Sequence, residues 1–315
     1  MKSLEPISNF CNNFIKELID NKTSANKICT GFKEVDKIVK GLRGGELIFV
    51  CARPAMGKAS FTINIACHIA QQFELDNKKE NHKEKIIAYF SLEATNKDIV
   101  PYILSYKCNI PLYNIRHNSI RNYRKDLLAG EYSLKNFPFY INDLALDLDG
   151  IKENLVSLQE KNKTIGLIVI DNLQALENGV RAKGDNVSLS GVIYALKGIA
   201  KEFNVPILIN SGLERKIEKR ISPRPMLTDL PQEETEIADV VMFLYRESYY
   251  LSNTFLKKHR KESYKEFALR EAKLQQKKAE TRNKIEVIIA KNHGATGKVI
   301  LWWNPMYVCF KDVKD

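Results

Sequence analysis

Cys51-Ala52-Arg53-Pro54-Ala55-Met56-Gly57-Lys58-Ala59-Ser60 is the stretch that decides the fold. An apolar run, Glu46 to Val50, precedes it and a helical pattern, Phe61 to Ala70, follows. A strand, a tight loop ending in Gly-Lys and then a helix is the layout of a phosphate-binding P-loop. Backbone N–H groups and the helix N-terminus face an anion, and the lysine reaches the outer phosphates. The whole stretch Ala52 to Ser60 is therefore the expected binding loop. The position after the lysine normally carries a hydroxyl for Mg²⁺, and here it is Ala59.

Outward from this loop the chain alternates. Expected strands are Leu47–Cys51, Ile86–Phe90, Pro138–Ile141, Ile165–Ile170, Pro206–Asn210, Val240–Tyr245, Ile285–Ala290 and Val299–Trp302. Several are continuous apolar runs, as strands covered on both faces require. Helical patterns fall at 60–72, 96–106, 149–162 and 187–203. The pattern predicts an α/β fold, a mostly parallel sheet flanked by helices, with a mixed or antiparallel end.

Two carboxylates fall where phosphate chemistry needs them. Asp171 ends the buried run Ile168-Val169-Ile170, the position of a Walker B acid that holds Mg²⁺ through water. Glu93 follows Phe90-Ser91-Leu92 at the expected nucleotide edge of a parallel sheet. It suits polarising an attacking water, and equally suits a helix N-terminal carboxylate facing the dipole.

The chain has 315 residues and a formal net charge of +11, which favours a polyanionic partner such as nucleic acid. Residues 247–284 concentrate that charge in Lys257, Lys258, Arg260, Lys261, Lys265, Arg270, Lys273, Lys277, Lys278, Arg282 and Lys284. Helix formers dominate there and Gly and Pro are absent, so the segment reads as a basic helical insertion between two strands, or as a solvated charged face. Residues 4–19 place Leu4, Ile7, Phe10, Phe14, Ile15 and Leu18 on one helical stripe. That stripe suits packing on its own core or on a neighbouring subunit. The apolar runs are too short to span a membrane, and the start of the chain lacks the apolar core of a signal peptide. Six scattered cysteines without a CxxC read as reduced, mostly buried thiols, so the expected location is cytoplasmic.

At this point the residues resemble a known family. Thr30-Gly31-Phe32, Asp36, Gly41-Leu42-Arg43-Gly44-Gly45-Glu46-Leu47 and Ala52-Arg53-Pro54-Ala55-Met56-Gly57-Lys58 are similar to the ATPase domain of DnaB-type replicative helicases. So are Phe90 to Glu93, Ile170 to Gln174, Leu196 to Pro206, Ala238 to Arg246 and Ala290-Lys291-Asn292, and the likeness spans about residues 4–309. The resemblance implies a RecA-like fold with 1–28 as linker helix and tether and 29–315 as the ATPase domain. It implies ATP with Mg²⁺, a ring-shaped homo-hexamer or a mixed ring with an intact helicase, 5′→3′ movement on single-stranded DNA, and primase or loader contacts. By resemblance Lys58 binds phosphate, Glu93 is the general base, Asp171 is the Walker B acid and Lys291 reaches a neighbour's γ-phosphate.

Four positions depart from the family pattern. Ala59 replaces Thr or Ser. Ser211-Gly212-Leu213 replaces Ser-Gln-Leu. Lys291-Asn292-His293 replaces Lys-x-Arg. The DNA-gripping loop reads Asp229-Leu230-Pro231-Gln232-Glu233-Glu234-Thr235-Glu236, shorter and acidic. All four lie where metal, γ-phosphate, subunit or DNA would be touched. Beside an active helicase, the sequence therefore suits a hydrolysis-deficient relative kept for binding or assembly. A RecA-like recombinase fits less well, because the Ala-Arg-Pro-x-Met-Gly-Lys form argues against it.

Overall fold

The computed structural model describes residues 27–313 apart from 79–82, 145, 183–187 and 253, and nearer the N-terminus only Pro6, Ile7, Cys11 and Ile15. Most of the predicted stripe at 4–19 lies outside the described residues. Ile7, Cys11 and Ile15 are helical and exposed.

Among the described residues nine strands form one sheet: β1 (Leu47–Ala52), β2 (Lys85–Ser91), β3 (Phe139–Asn142), β4 (Thr164–Asp171), β5 (Ile207–Gly212), β6 (Val240–Tyr245), β7 (Lys284–Lys291), β8 (Gly297–Asn304) and β9 (Cys309–Asp312), in the order β3-β2-β4-β5-β1-β6-β7-β8-β9. The first six in that order run parallel, and β7, β8 and β9 are added antiparallel. The eight expected strands are present, within two residues at each end. The ninth, β9, has only four residues and no alternation long enough to read in advance.

Alternation along β1 shows how the sheet is covered. Ile48, Val50 and Ala52 face one apolar layer, while Leu47, Phe49 and Cys51 face another. The first layer is built by α1 (Lys33–Val39), α2 (Lys58–Asn77) and α3 (Asn96–Cys108), which bring Val35, Phe61, Ile65, Ile69 and Ile103. On this flank also lie α4 (Leu112–Arg116) and α5 (Arg124–Leu134), with Leu112 and Leu134 packed against the layer. The second layer is built by α6 (Leu148–Glu160), α7 (Leu173–Ala182) and α8 (Leu189–Phe203) through Ile151, Leu155, Leu176, Val180, Val192 and Leu196. Because β1 is wholly buried, a large side chain such as Phe49 contributes about 2–3 kcal/mol by leaving water. Close approach fixes one glycine: a Cβ on Gly166 of β4 would sit 2.4 Å from the Phe73 ring of α2.

The helices α1, α4, α5 and α7 were not expected from the pattern. Three of them are short or largely exposed, and α5 buries only Gly130. The remaining helices are α9 (Gln232–Ile237), which falls in a stretch expected as a loop, α10 (Glu247–Ser252) and α11 (Tyr264–Thr281). The segment 247–284 is therefore two helices joined by irregular chain, set between β6 and β7. The thiols are less buried than expected: Cys51 and Cys67 are buried, Cys108 and Cys309 half-buried, and Cys11 and Cys29 exposed, all free.

Parallel pairing places the functional loops together. Ser91 pairs with Asp171, Ala52 with Gly212, and Cys51 with Phe243. The C-terminal ends of β2, β4, β5, β1 and β6 thus share one edge.

Candidate nucleotide site

A cleft of about 840 Å³ opens on that edge. Ala52, Arg53, Pro54, Ala55, Gly57, Lys58, Ala59 and Ser60 line it, together with Glu93 and Asp171. The loop owes its turn to two residues in the left-handed region, Ala55 at φ 64° and Gly57 at φ 92°. At Gly57 the positive φ is what favours glycine, since a Cβ there would meet the Phe310 ring only at ordinary contact distance, 3.4 Å. Met56 is the one predicted loop residue turned away: it is 1% exposed and packs in the apolar layer.

Two arginines brace the loop from behind. The Arg53 guanidinium donates to the Leu213 carbonyl at 2.7 Å and to Glu218 at 3.1 Å. The Arg246 guanidinium donates to the Ala55 carbonyl at 3.0 Å. Both cations shape the loop, and the ammonium of Lys58 remains as its cation at the head of α2. Burial holds Lys58 below its ordinary pKa, and Asp171, Cys51, Glu93 and Glu234 act against that shift.

Asp171 is 9% exposed and accepts a hydrogen bond from the Tyr89 hydroxyl at 2.7 Å. Burial, followed by the Asp171 charge, pushes the Tyr89 hydroxyl well above its ordinary pKa, so it stays a donor. The Leu92 N–H donates to the Asp171 carbonyl at 2.7 Å, joining the β2 and β4 loops. Glu93 is exposed on the cleft wall, and Asn172 Nδ2 donates to its carboxylate. The Asn172 Oδ1 in turn accepts from the Ala175 N–H at 2.9 Å, at the start of α7. This places Glu93 off its own helix N-terminus, which Thr95 and Asp98 cap instead.

Gly212 leaves a gap that Gln174 fills. Its carbonyl oxygen accepts from the Gly212 N–H at 3.1 Å, and its amide donates to Ser211 Oγ at 3.0 Å. Ser211 Oγ donates to Glu234 Oε1 at 3.1 Å. Glu234 is 1% exposed, and its other oxygen has no partner among the described residues. Burial pushes its pKa from 4.5 up to about 7, opposed by Ser211 and Lys58. Sequence reading placed Glu234 in a nucleic-acid loop, yet helix α9 turns it into the nucleotide cleft. Tyr89, Asn172 and Arg116 were also not anticipated. Arg116 lies on the cleft wall with its guanidinium 4.9 Å from the Tyr102 ring centre.

Lys291 and His293 lie away from the cleft. The Lys291 ammonium donates to the carbonyls of Thr235 and Glu236, at 2.7 and 3.1 Å. His293 Nε2 sits 3.1 Å from Glu46 and 3.9 Å from Asp239, and Asn292 donates to the Ile38 carbonyl at 2.9 Å. All three side chains of this segment bond to their own chain. Asp229, in the acidic stretch, receives both guanidinium nitrogens of Arg220.

The residues present suit a nucleotide triphosphate: a lysine-headed loop with a carboxylate opposite. Asp171 suits Mg²⁺ held through water, the usual manner for a cation that sheds its hydration reluctantly. Ala59 offers it no oxygen.

Comparison with known proteins agrees with this geometry. The family described as the DnaB-like helicase C-terminal domain matches residues 27–312. A replicative DNA helicase DnaB of Rickettsia bellii is 31% identical over 306 residues, covering 95% of this chain and 60% of the relative. The replicative DNA helicase DnaC of Bacillus subtilis is 31% identical, covering 91% of this chain and 57% of the relative. The chain thus spans about 60% of the length of the curated relatives it matches. Among solved structures, one of an ATPase domain superposes with a TM-score of 0.75 at 24% identity, over 99% of this chain and 100% of that one. A DnaB-like replicative helicase, described with its interactions with primase, gives 0.74 at 24% identity, over 99% of this chain and 68% of that one. No helix among the described residues is long and apolar enough to cross a membrane.

Proposed function

We propose that this chain, which belongs to the family of DnaB-like helicase C-terminal domains, is the motor portion of a replicative DNA helicase. It binds ATP, hydrolyses it, and couples the cycle to 5′→3′ movement on single-stranded DNA within a six-membered ring in the cytoplasm. The observation that carries this reading is the convergence of Lys58, Glu93 and Asp171 on one cleft, from the segments that follow or end β1, β2 and β4 at their shared C-terminal edge. Primase or a loader is the proposed protein partner, by analogy with the solved DnaB-like helicase described with primase.

Phosphoryl transfer asks the protein chiefly for positioning and charge. The loop amides and Lys58 hold the outer phosphates, and the half-buried position of Lys58 strengthens that attraction because less water screens it. Asp171, oriented by Tyr89, would hold Mg²⁺. When bound, that ion would neutralise charge on the β- and γ-phosphates. Glu93, steadied by Asn172, accepts the proton of the attacking water. Gln174, anchored on Gly212 and Ser211, stands where the family's β5 glutamine is missing and senses the γ-phosphate.

A second reading is favoured by Ala59 and by the inward bonding of His293: a nucleotide-binding assembly protein with little turnover, working beside an intact helicase. Steady-state ATP hydrolysis with Mg²⁺, with and without single-stranded DNA, separates the two. DNA-stimulated turnover that disappears in Lys58→Ala is the expected result. Turnover no higher than that of Lys58→Ala, from folded protein, sinks the motor and leaves the assembly role.

A further inference from the structure

Residues 254–284 hold eleven Lys and Arg against four Glu, a surplus of seven within a chain whose net charge is +11. Their carboxylates are mostly engaged within the insertion. Glu262 accepts from the His259 N–H at 2.9 Å and from Arg270 at 3.0 Å. Glu266 closes the capping box of Ser263 at the head of α11. Glu280 accepts from Gln276 at 2.8 Å. Lys258, Arg260, Lys261, Lys265 and Lys273 are all exposed, and none has an ion-pair partner among the described residues. The unbalanced charge therefore faces outward.

The insertion is fixed to the body at its root. Glu247 of α10 pairs with Lys277 of α11 at 2.8 Å and with Arg224 at 3.3 Å, and Arg224 reaches Glu286 of β7 at 2.8 Å. The Arg224 guanidinium also lies 4.8 Å from the Tyr245 ring centre. Tyr249 and Tyr250 pack against the sheet's apolar layer. By contrast, α11 buries no residue.

Two aromatic rings stand among these cations. Phe255 is 84% exposed and Tyr264 82% exposed, so both rings are open to solvent within the basic segment. Each has a lysine near its face: Lys258 is 4.7 Å from the Tyr264 centre and Lys278 is 5.8 Å from that of Phe255. Cations track a phosphate backbone in any nucleic acid, but open aromatic faces stack only on bases that are not already stacked in a duplex. The acidic stretch that the family uses for DNA has turned Glu234 inward, tied Asp229 to Arg220, and left Glu233 and Glu236 exposed.

We propose that the α10–α11 insertion is a single-stranded nucleic-acid grip, with Lys258, Arg260, Lys261, Lys265 and Lys273 on phosphates and Phe255 and Tyr264 stacking on bases. It deepens the reading that this chain engages single-stranded DNA, and takes over the binding of phosphates from the acidic loop. Its position suits coupling: α10 begins one residue after Arg246, whose side chain bonds to the P-loop at Ala55.

The test is fluorescence anisotropy of the full chain with labelled dT20 and with a 20-base-pair duplex, without nucleotide. Omitting ATP lets a chain that fails to hydrolyse still pass. Changing the five cations to Gln is expected to weaken dT20 binding at least tenfold at about 0.1 M salt. It should also flatten the salt dependence by about 0.7 log unit for each phosphate that is no longer neutralised. Tyr264→Ala is expected to weaken dT20 about tenfold while leaving the duplex unchanged. A control with Lys33, Lys40, Arg43, Lys152 and Lys161 changed to Gln carries the same net charge. Equal weakening in that control overturns the grip, as does unchanged dT20 affinity in the folded five-cation variant. Duplex binding as tight as dT20, or binding only to phosphatidylserine vesicles, overturns the nucleic-acid assignment as stated.

Discussion

The nucleotide cleft and the α10–α11 insertion are linked through Arg246, which bonds to the P-loop at Ala55 and stands one residue before α10, yet they use charge in opposite ways. In the cleft, Lys58, Asp171 and Glu234 are few, largely buried and mutually coupled, and burial moves the protonation of Lys58 and Glu234. On the insertion the cations are many and exposed. Their attraction to phosphate is long-ranged, additive and screened by salt. A buried charge cannot be exchanged for a neighbour, whereas an exposed one nearly can. Substitutions should therefore produce large, specific effects in the first region and small, cumulative ones in the second.

Asp171→Asn should give the largest effect. Asn keeps an oxygen for the Tyr89 hydroxyl, so the fold is expected to survive. The loss is one negative charge facing Lys58. Removal of a single preorganised electrostatic group from a phosphoryl or acyl transfer site lowers kcat by about 10² to 10³. Steady-state hydrolysis checks this, with circular dichroism as the control for folding. A loss below tenfold would mean that Asp171 is structural and that the contrast between the two regions is weaker than their burial suggests.

Glu234→Gln comes next, read as stability. Folding raises the Glu234 pKa from 4.5 to about 7, so the native state holds a proton that the unfolded state releases. The native state then loses stability as pH rises from 4.5 through 7, and the cost levels off above 7. Its upper bound is about 3 kcal/mol, since each pKa unit is worth about 1.4 kcal/mol. Glutamine carries no such charge. Urea unfolding should show Glu234→Gln about equal to the parent at pH 4 and more stable, by about 1–3 kcal/mol, at pH 8. Equal midpoints at both pH values would remove Glu234 from the coupled set.

Most of the sheet was legible because its strands are long apolar runs, and the placement of Lys58, Asp171 and Glu93 on one cleft because each lies at or just after the C-terminal end of a strand. What escaped the sequence were contacts between distant segments. Glu234 reads as one of several carboxylates in a polar stretch, and only the packing of α9 against the cleft singles it out. Lys291 and His293 read as subunit-interface residues, but the carbonyls of α9 bond to Lys291, and His293 Nε2 lies beside Glu46 and Asp239. Their partners lie at a sequence distance no local pattern encodes. The exposure of Phe255 and Tyr264 was equally hidden, since aromatic residues are ordinarily read as core.

Ala59→Thr is a gain-of-function probe, with an expected effect of about tenfold. The side chain at 59 lines the cleft directly after Lys58, where a P-loop hydroxyl normally coordinates Mg²⁺. Titrating hydrolysis with Mg²⁺ should show half-saturation at lower metal concentration in the Thr variant. No change would mean that Asp171 and the phosphates already satisfy the ion, and that position 59 is dispensable.

The smallest effect sharpens the comparison most. Lys273→Gln alone removes one exposed cation with no ion-pair partner among the described residues. If Lys273 neutralises one phosphate of a single strand, its share of the salt slope is about 0.7. That share corresponds to about a fivefold loss of dT20 affinity at 0.1 M salt and fades toward none near 1 M. Lys265→Gln should behave alike, and the double variant should show the product of the two losses, because both act through screened solvent. In the cleft the same multiplication should fail: with Lys58→Ala in place, adding Asp171→Asn should cost little more, since the two act on one phosphate group as a unit. Additivity on the insertion beside non-additivity in the cleft, one residue of chain away, is the behaviour the two environments demand. A strongly coupled Lys265/Lys273 pair would show instead that the insertion forms a closed, specific pocket around its ligand.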